Sequence, residues 1–117
     1  MDRDSLLTRL RELLDGRAVE LALIFGSRAT GRARLDSDVD LAVVAPDEDL
    51  SQLAGDLSAA LGLEVEVVSL ADPPYPLLKR IVREGTGVFE GSRGAEARWR
   101  TRALLVLDTD DLVRANA

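Results

Sequence analysis

An α/β (α+β) fold is the class this sequence predicts, on three observations. Four stretches repeat apolar residues at the three- and four-residue spacing of helices. Four shorter stretches, rich in β-branched residues, read as strands. The two kinds are interleaved, with glycine or proline at most of the joints. At 117 residues, 46% of them apolar and 31% charged, the chain fits one domain over 1–117 with a single core, and a separate substrate domain would not fit.

Leu6, Leu7, Leu10, Leu13 and Leu14 form the stripe of a first helix, with Asp4 or Asp2 as its cap and Gly16 as its stop. VELALIF, Val19 to Phe25, is a mostly buried strand that ends abruptly at Gly26. A loop with a short helical turn through Ala29 follows, and DVDLAVV, Asp38 to Val44, is the second strand, closed by Pro46. Asp49 to Leu61 carries Leu50, Leu53, Leu57 and Leu61 on one face of a helix ended by Gly62, Gly55 weakening it slightly. LEVEVVSL, Leu63 to Leu70, is a third strand, and Tyr75 between prolines reads as a surface loop residue. A helix from Pro76 to Glu84 then turns Leu77, Leu78, Ile81 and Val82 inward, which leaves Lys79, Arg80 and Arg83 as a solvated face, from which one could reach a bound anion although spacing does not select it. GVFE, Gly87 to Glu90, suits an edge strand. From Ala95 a last helix aligns Trp99, Ala103, Val106 and Val113, with Leu104, Leu107 and Leu112 beside them. Its ALLVL run is apolar all round, so it must bury more than one face, in its own core or against another chain. Trp99 reads as a core or interface anchor.

Composition narrows the chemistry. The chain has no cysteine and no histidine, which removes disulfides, thiolate and imidazole metal sites, cysteine nucleophiles and histidine triads. Carboxylates, hydroxyls and cations remain, and they suit a hard metal such as magnesium. A formal charge of −6 argues against DNA or RNA as the main partner, because phosphate neutralisation dominates such binding. No apolar run is long enough for a membrane helix or a secretory signal, so a cytoplasmic location is expected.

The chemistry-bearing stretch is Gly26 to Asp40, GSRATGRARLDSDVD. Side chains alternate along a strand, so Asp38 and Asp40 share a face, about 6 to 7 Å apart along it, while Val39, Leu41 and Val43 face the other way. Two such carboxylates can grip a metal pair that activates an attacking oxygen and stabilises leaving pyrophosphate. Gly26 lets backbone approach a phosphate, and Ser27 offers its hydroxyl and caps the short helix, whose first amides favour an anion. Arg28, Arg32 and Arg34 add positive charge, and spacing does not say which of them points inward. A Gly-Ser turn or an Asp-x-Asp alone is commonly structural. Together, ten residues apart and with a strand on each side, they form the arrangement expected for nucleotidyl transfer.

On GSRATGRARLDSDVDLAVV, and more loosely on LEVEVVSL and LLKRIVREGTGVFEG, the chain resembles the DNA polymerase β superfamily of nucleotidyltransferases, in its minimal nucleotidyltransferase branch. The resemblance covers about Ala18 to Gly91. It implies the nucleotidyltransferase fold, a small mixed sheet flanked by helices, with magnesium-dependent use of ATP. It also implies phosphate contacts at Gly26, Ser27 and Arg28, and metal ligation by Asp38 and Asp40. A third acid on the next strand usually completes such a site and helps to deprotonate the attacking hydroxyl. Glu66 is chosen for it, with Glu64 the other acid in register and more suited to a solvated rim. The family more often has aspartate here, and Ser69 stands where a second acid often follows.

Proteins of this branch are often antitoxins paired with a HEPN ribonuclease toxin, and transfer AMP from ATP to a tyrosine of that partner. The expectation for this chain is therefore protein adenylylation, its acceptor hydroxyl supplied by a HEPN-type toxin. Two other readings stand beside it. One is a nucleotidyltransferase acting on a small molecule of the aminoglycoside type; the other is a non-catalytic antitoxin that binds its toxin through the apolar terminal helix.

Overall fold

The computed structural model describes residues 1–30 and 38–115, with 108–115 as backbone alone. Helix α1 (Arg3–Leu14) starts at Asp2, whose carboxylate accepts the Ser5 amide at 2.8 Å, so Asp2 is the cap and Asp4 lies in the first turn. Strand β1 (Leu21–Phe25) leads into a single helical turn, α2 (Ser27–Thr30), and β2 spans Val39–Val44. Helix α3 (Leu50–Leu61) is capped by Asp49 through the Gln52 amide and closed by Gly62 at φ 69°, a left-handed cap that glycine adopts without a Cβ penalty. Strand β3 (Val65–Ser69), helix α4 (Tyr75–Glu84), strand β4 (Thr86–Glu90) and helix α5 (Ala95–Ala115) complete the order.

The four strands form one sheet in the order β3-β2-β1-β4. β1 pairs antiparallel with β2 and β4, and β2 pairs parallel with β3 across the α3 crossover. The sheet is therefore mixed, as the resemblance implied, and β4 is an edge strand.

Alternation along the strands decides which helices cover which face. Leu6, Leu10 and Leu14 of α1 and Leu53, Leu57 and Leu61 of α3 pack on Ala22, Ile24, Val39, Leu41 and Val43. Leu21, Leu23, Phe25 and Ala42 lie on the opposite face, under Ile81 of α4 and Ala95 of α5, with Leu77 and Trp99 at the margin. All five residues of β1 are buried, because both faces of that strand are covered. Each fully buried leucine contributes roughly 1.5–3 kcal/mol relative to exposure, so this double cover holds the strand in place from both sides.

Several boundaries differ from expectation. β1 starts at Leu21, though the Glu20 amide still donates to the Val44 carbonyl at 2.8 Å. Glu64 precedes β3, its carbonyl accepting the Val39 amide at 2.9 Å. Tyr75 is the first residue of α4 and packs partly on Leu78, Ala103 and Leu107, so it is not a surface loop residue. Trp99 bridges this cluster and the sheet, as a core anchor should. On α5 only Ala103 and Leu107 are buried in that stretch, while Leu104, Leu105 and Val106 are 50%, 63% and 49% exposed. Val106 misses the buried line because the α4 contact centres between Ala103 and Leu107, one turn apart. The expected positions of Leu112 and Val113 fall on side chains outside the described residues. Among the described residues no helix is long and apolar enough to cross a membrane.

Candidate nucleotide and metal site

The site forms where β1 ends and β2 begins. Antiparallel pairing sets Phe25 opposite Asp40, and parallel pairing sets Asp40 opposite Glu66, so one line across three strands reads Phe25, Asp40, Glu66. Register partners on adjacent strands point to the same face, which places the Asp40 and Glu66 carboxylates side by side. Asp38 lies one residue ahead of β2 and is exposed, as are Glu64 and Glu66, so exposure does not separate the two glutamates. Asp38, Glu64 and Glu66 also line a shallow hollow beside Leu50, Ser51 and Ala54 of α3.

Gly26 follows β1 directly, at φ 77°. Its carbonyl accepts the Ala29 and Thr30 amides at 3.1 and 3.2 Å, so Gly26 itself takes the cap position of α2 and Ser27 is the first helical residue. Ser27 was expected to be the cap; the turn tightens one residue earlier because only glycine adopts this φ without strain. A Cβ at Gly26 would stand 2.5 Å from the Asp40 carboxylate Oδ2 and 3.2 Å from the Arg80 guanidinium. The Gly26 turn and the strand carboxylate are thus in direct contact.

Electrostatics reflect the same crowding. Burial, then the Glu66 charge beside it, push the half-buried Asp40 carboxyl up from its usual range, with Arg80 opposing and Asp38 adding to the rise. The donors of this cluster are all carboxylate oxygens, the donor set that a hard divalent cation takes. Among the described residues no three acids are grouped closely enough to share one ion, so Asp40 and Glu66 form an adjacent pair with Asp38 at its rim.

Arg28 is the buried charged side chain of α2, 6% exposed, with Nη1 3.4 Å from the Met1 carbonyl. Arg32 and Arg34 lie outside the described residues. The sequence places Arg80 with Lys79 and Arg83 on a solvated face without selecting one of them; its guanidinium lies over the Phe25 ring, 5.4 Å from the centroid, and reaches toward Gly26. Nothing local in the sequence separates these three cations. Only the docking of α4 on the end of β1 does, through Ile81 and Leu77.

A family model described as Polymerase beta, Nucleotidyltransferase matches residues 8–94. No curated protein matches the chain in sequence. Among solved structures the chain is similar to one from a toxin–antitoxin complex with AMP-PNP, at a TM-score of 0.76 and 24% identity, over 94% of this chain and 93% of that one. It is also similar to a chain of the complex between a tri-AMPylated Shewanella oneidensis HEPN toxin and its MNT antitoxin, at a TM-score of 0.74 and 22% identity, over 97% and 93% of the two chains. A candidate minimal nucleotidyltransferase shares 33% identity over 74% of this chain and 95% of its own length, at a TM-score of 0.60.

Proposed function

Since the chain belongs to the polymerase beta nucleotidyltransferase family, we propose that it transfers AMP from ATP to a hydroxyl, a tyrosine hydroxyl, of a partner HEPN toxin and so acts as that toxin's antitoxin. One observation carries this reading: register and turn geometry bring Gly26, Asp40 and Glu66 to one point. The structural neighbours support the partner, since they include complexes of an AMPylated HEPN toxin with an MNT antitoxin and of a toxin–antitoxin pair with AMP-PNP.

In the proposed mechanism Gly26 and Ser27 receive the phosphates, Arg28 adds positive charge from its buried position behind the turn, and Asp40 and Glu66 would hold magnesium with Asp38 at the rim of the pair. The ion, when bound, supplies charge neutralisation for the triphosphate and makes its phosphorus a better electrophile. Glu66 takes the proton of the attacking hydroxyl. The hydroxyl oxygen forms a bond to the α-phosphorus as the bond to the bridging oxygen breaks, and pyrophosphate leaves. Asp40, pressed against Gly26, keeps the carboxylate pair fixed relative to the phosphate turn, which limits the reorganisation needed at the moment of transfer.

The test mixes the chain with ATP, magnesium and the HEPN partner and follows the partner's mass. A gain of one AMP per modified tyrosine is expected with the wild type and none with Asp38→Asn plus Asp40→Asn. An unmodified partner in the wild-type reaction overturns the proposal. The exposed Leu104, Leu105 and Val106 favour a second reading, neutralisation by contact through α5. Under that reading the double carboxylate variant would still protect cells from the toxin.

A further inference from the structure

A bound triphosphate needs cations, and one at the mouth of the site has no role in the mechanism above. Arg80 stands on α4 where the helix crosses the end of β1. Two contacts and one close approach define its position. Its Nε donates to Glu84 Oε2 at 3.2 Å, one turn along the helix. Its guanidinium carbon lies 5.4 Å from the centroid of Phe25, the strand residue paired with Asp40. Its Nη2 is 3.2 Å from where a Cβ would stand on Gly26, the residue that opens the phosphate turn. The salt bridge and the ring hold the fork from two sides while the far nitrogen faces the turn. Lys79 and Arg83, its neighbours on the exposed side of α4, have no such contacts in the described structure with β1, Gly26 or Asp40.

From this geometry we infer that Arg80 is a phosphate-binding residue, receiving the triphosphate of the nucleotide opposite the Gly26–Ser27 turn. The inference rests on the reading of the site as a nucleoside triphosphate site. Arginine suits the position better than lysine, because a planar fork can keep one edge on Glu84 and the Phe25 face while it offers the other to phosphate oxygens. At 48% exposed the side chain is reachable from solvent, and its removal opens no core cavity.

Calorimetric titration of the full chain with ATP and, separately, with inorganic triphosphate, both at constant magnesium, tests the inference. Thermal unfolding of each variant checks that it is folded. Wild type is expected to bind both. Arg80→Ala should weaken both by about tenfold or more, the loss expected for a charge-assisted hydrogen bond, and Arg80→Lys should fall between. Lys79→Ala should match the wild type. If the wild type binds ATP and Arg80→Ala binds it equally well, the assignment of Arg80 is overturned while the reading of the site survives. If Arg80→Ala weakens ATP and leaves inorganic triphosphate unchanged, Arg80 serves the nucleoside and the inference is again overturned. If the wild type binds neither ligand, the reading of the site fails and the inference falls with it.

Discussion

Gly26 concentrates the demands of the site in one residue. Its φ of 77° excludes ordinary side chains, and the Asp40 carboxylate occupies the space a Cβ would need. Gly26→Ala is therefore expected to lower stability by about 1–3 kcal/mol, combining backbone strain with displacement of Asp40. The two parts separate in a double-mutant cycle followed by urea unfolding. In an Asp40→Ala background the clash with the carboxylate vanishes, so the alanine at position 26 should cost less there than in the wild type. At this scale the sequence was informative wherever the constraint is local. Glycine before a helical turn and two aspartates at a spacing of two need no knowledge of tertiary structure. Glu66 was reachable by strand alternation, and its register with Asp40 sets it apart from Glu64, which precedes β3. Arg80 was not reachable, because its distinction from Lys79 and Arg83 is made by which end of β1 the helix overlies.

Elements are held together by ends as much as by faces. Arg17, just past α1, bonds Glu48 Oε1 at 2.9 Å before α3 and Asp56 Oδ2 at 2.9 Å within it, tying the two helices that cover one sheet face. The Arg17 hydrogen bond, then the Gln52 amide, hold the Asp56 carboxyl below its ordinary value of 3.8. A carboxyl lowered by folding contributes stability that is complete above 3.8 and is lost as pH falls through its folded value. Asp56→Asn should then melt below the wild type at pH 7, and the gap should close in strong acid. The difference between the two profiles is the quantity to follow, because Asp40, shifted upward, acts in the opposite sense. Helix α5 makes a second element-level prediction. Leu107→Ala removes a buried contact with α4 and should cost about 2 kcal/mol in chemical denaturation, whereas Leu104→Gln, half exposed, should stay within about 0.5 kcal/mol. Periodicity alone located α5 and required more than one of its faces to be covered. It could not assign Val106 to the rim, because the width of the buried stripe depends on the angle at which α4 meets it.

For the whole molecule, the order β3-β2-β1-β4 explains why the site is where it is. The two central strands are flanked on both edges and covered on both faces, and they are the strands that carry Phe25, Gly26 at the end of β1, and Asp40. The candidate site is thereby built on the part of the molecule with most to lose on opening. Native-state hydrogen exchange should show this gradient. Amides of β1 and the inner residues of β2, such as Leu41 to Val43, should exchange only through global unfolding, and those of β3 and β4 on the sides that lack a strand should exchange sooner. A destabilising change on α5, such as Leu107→Ala, should lower global stability and so speed exchange in β1 without weakening ATP binding at temperatures where the chain stays folded. Equal loss of nucleotide affinity and stability in that variant would instead mean that α5 sets the position of α4, and through it Arg80, against the Gly26 turn.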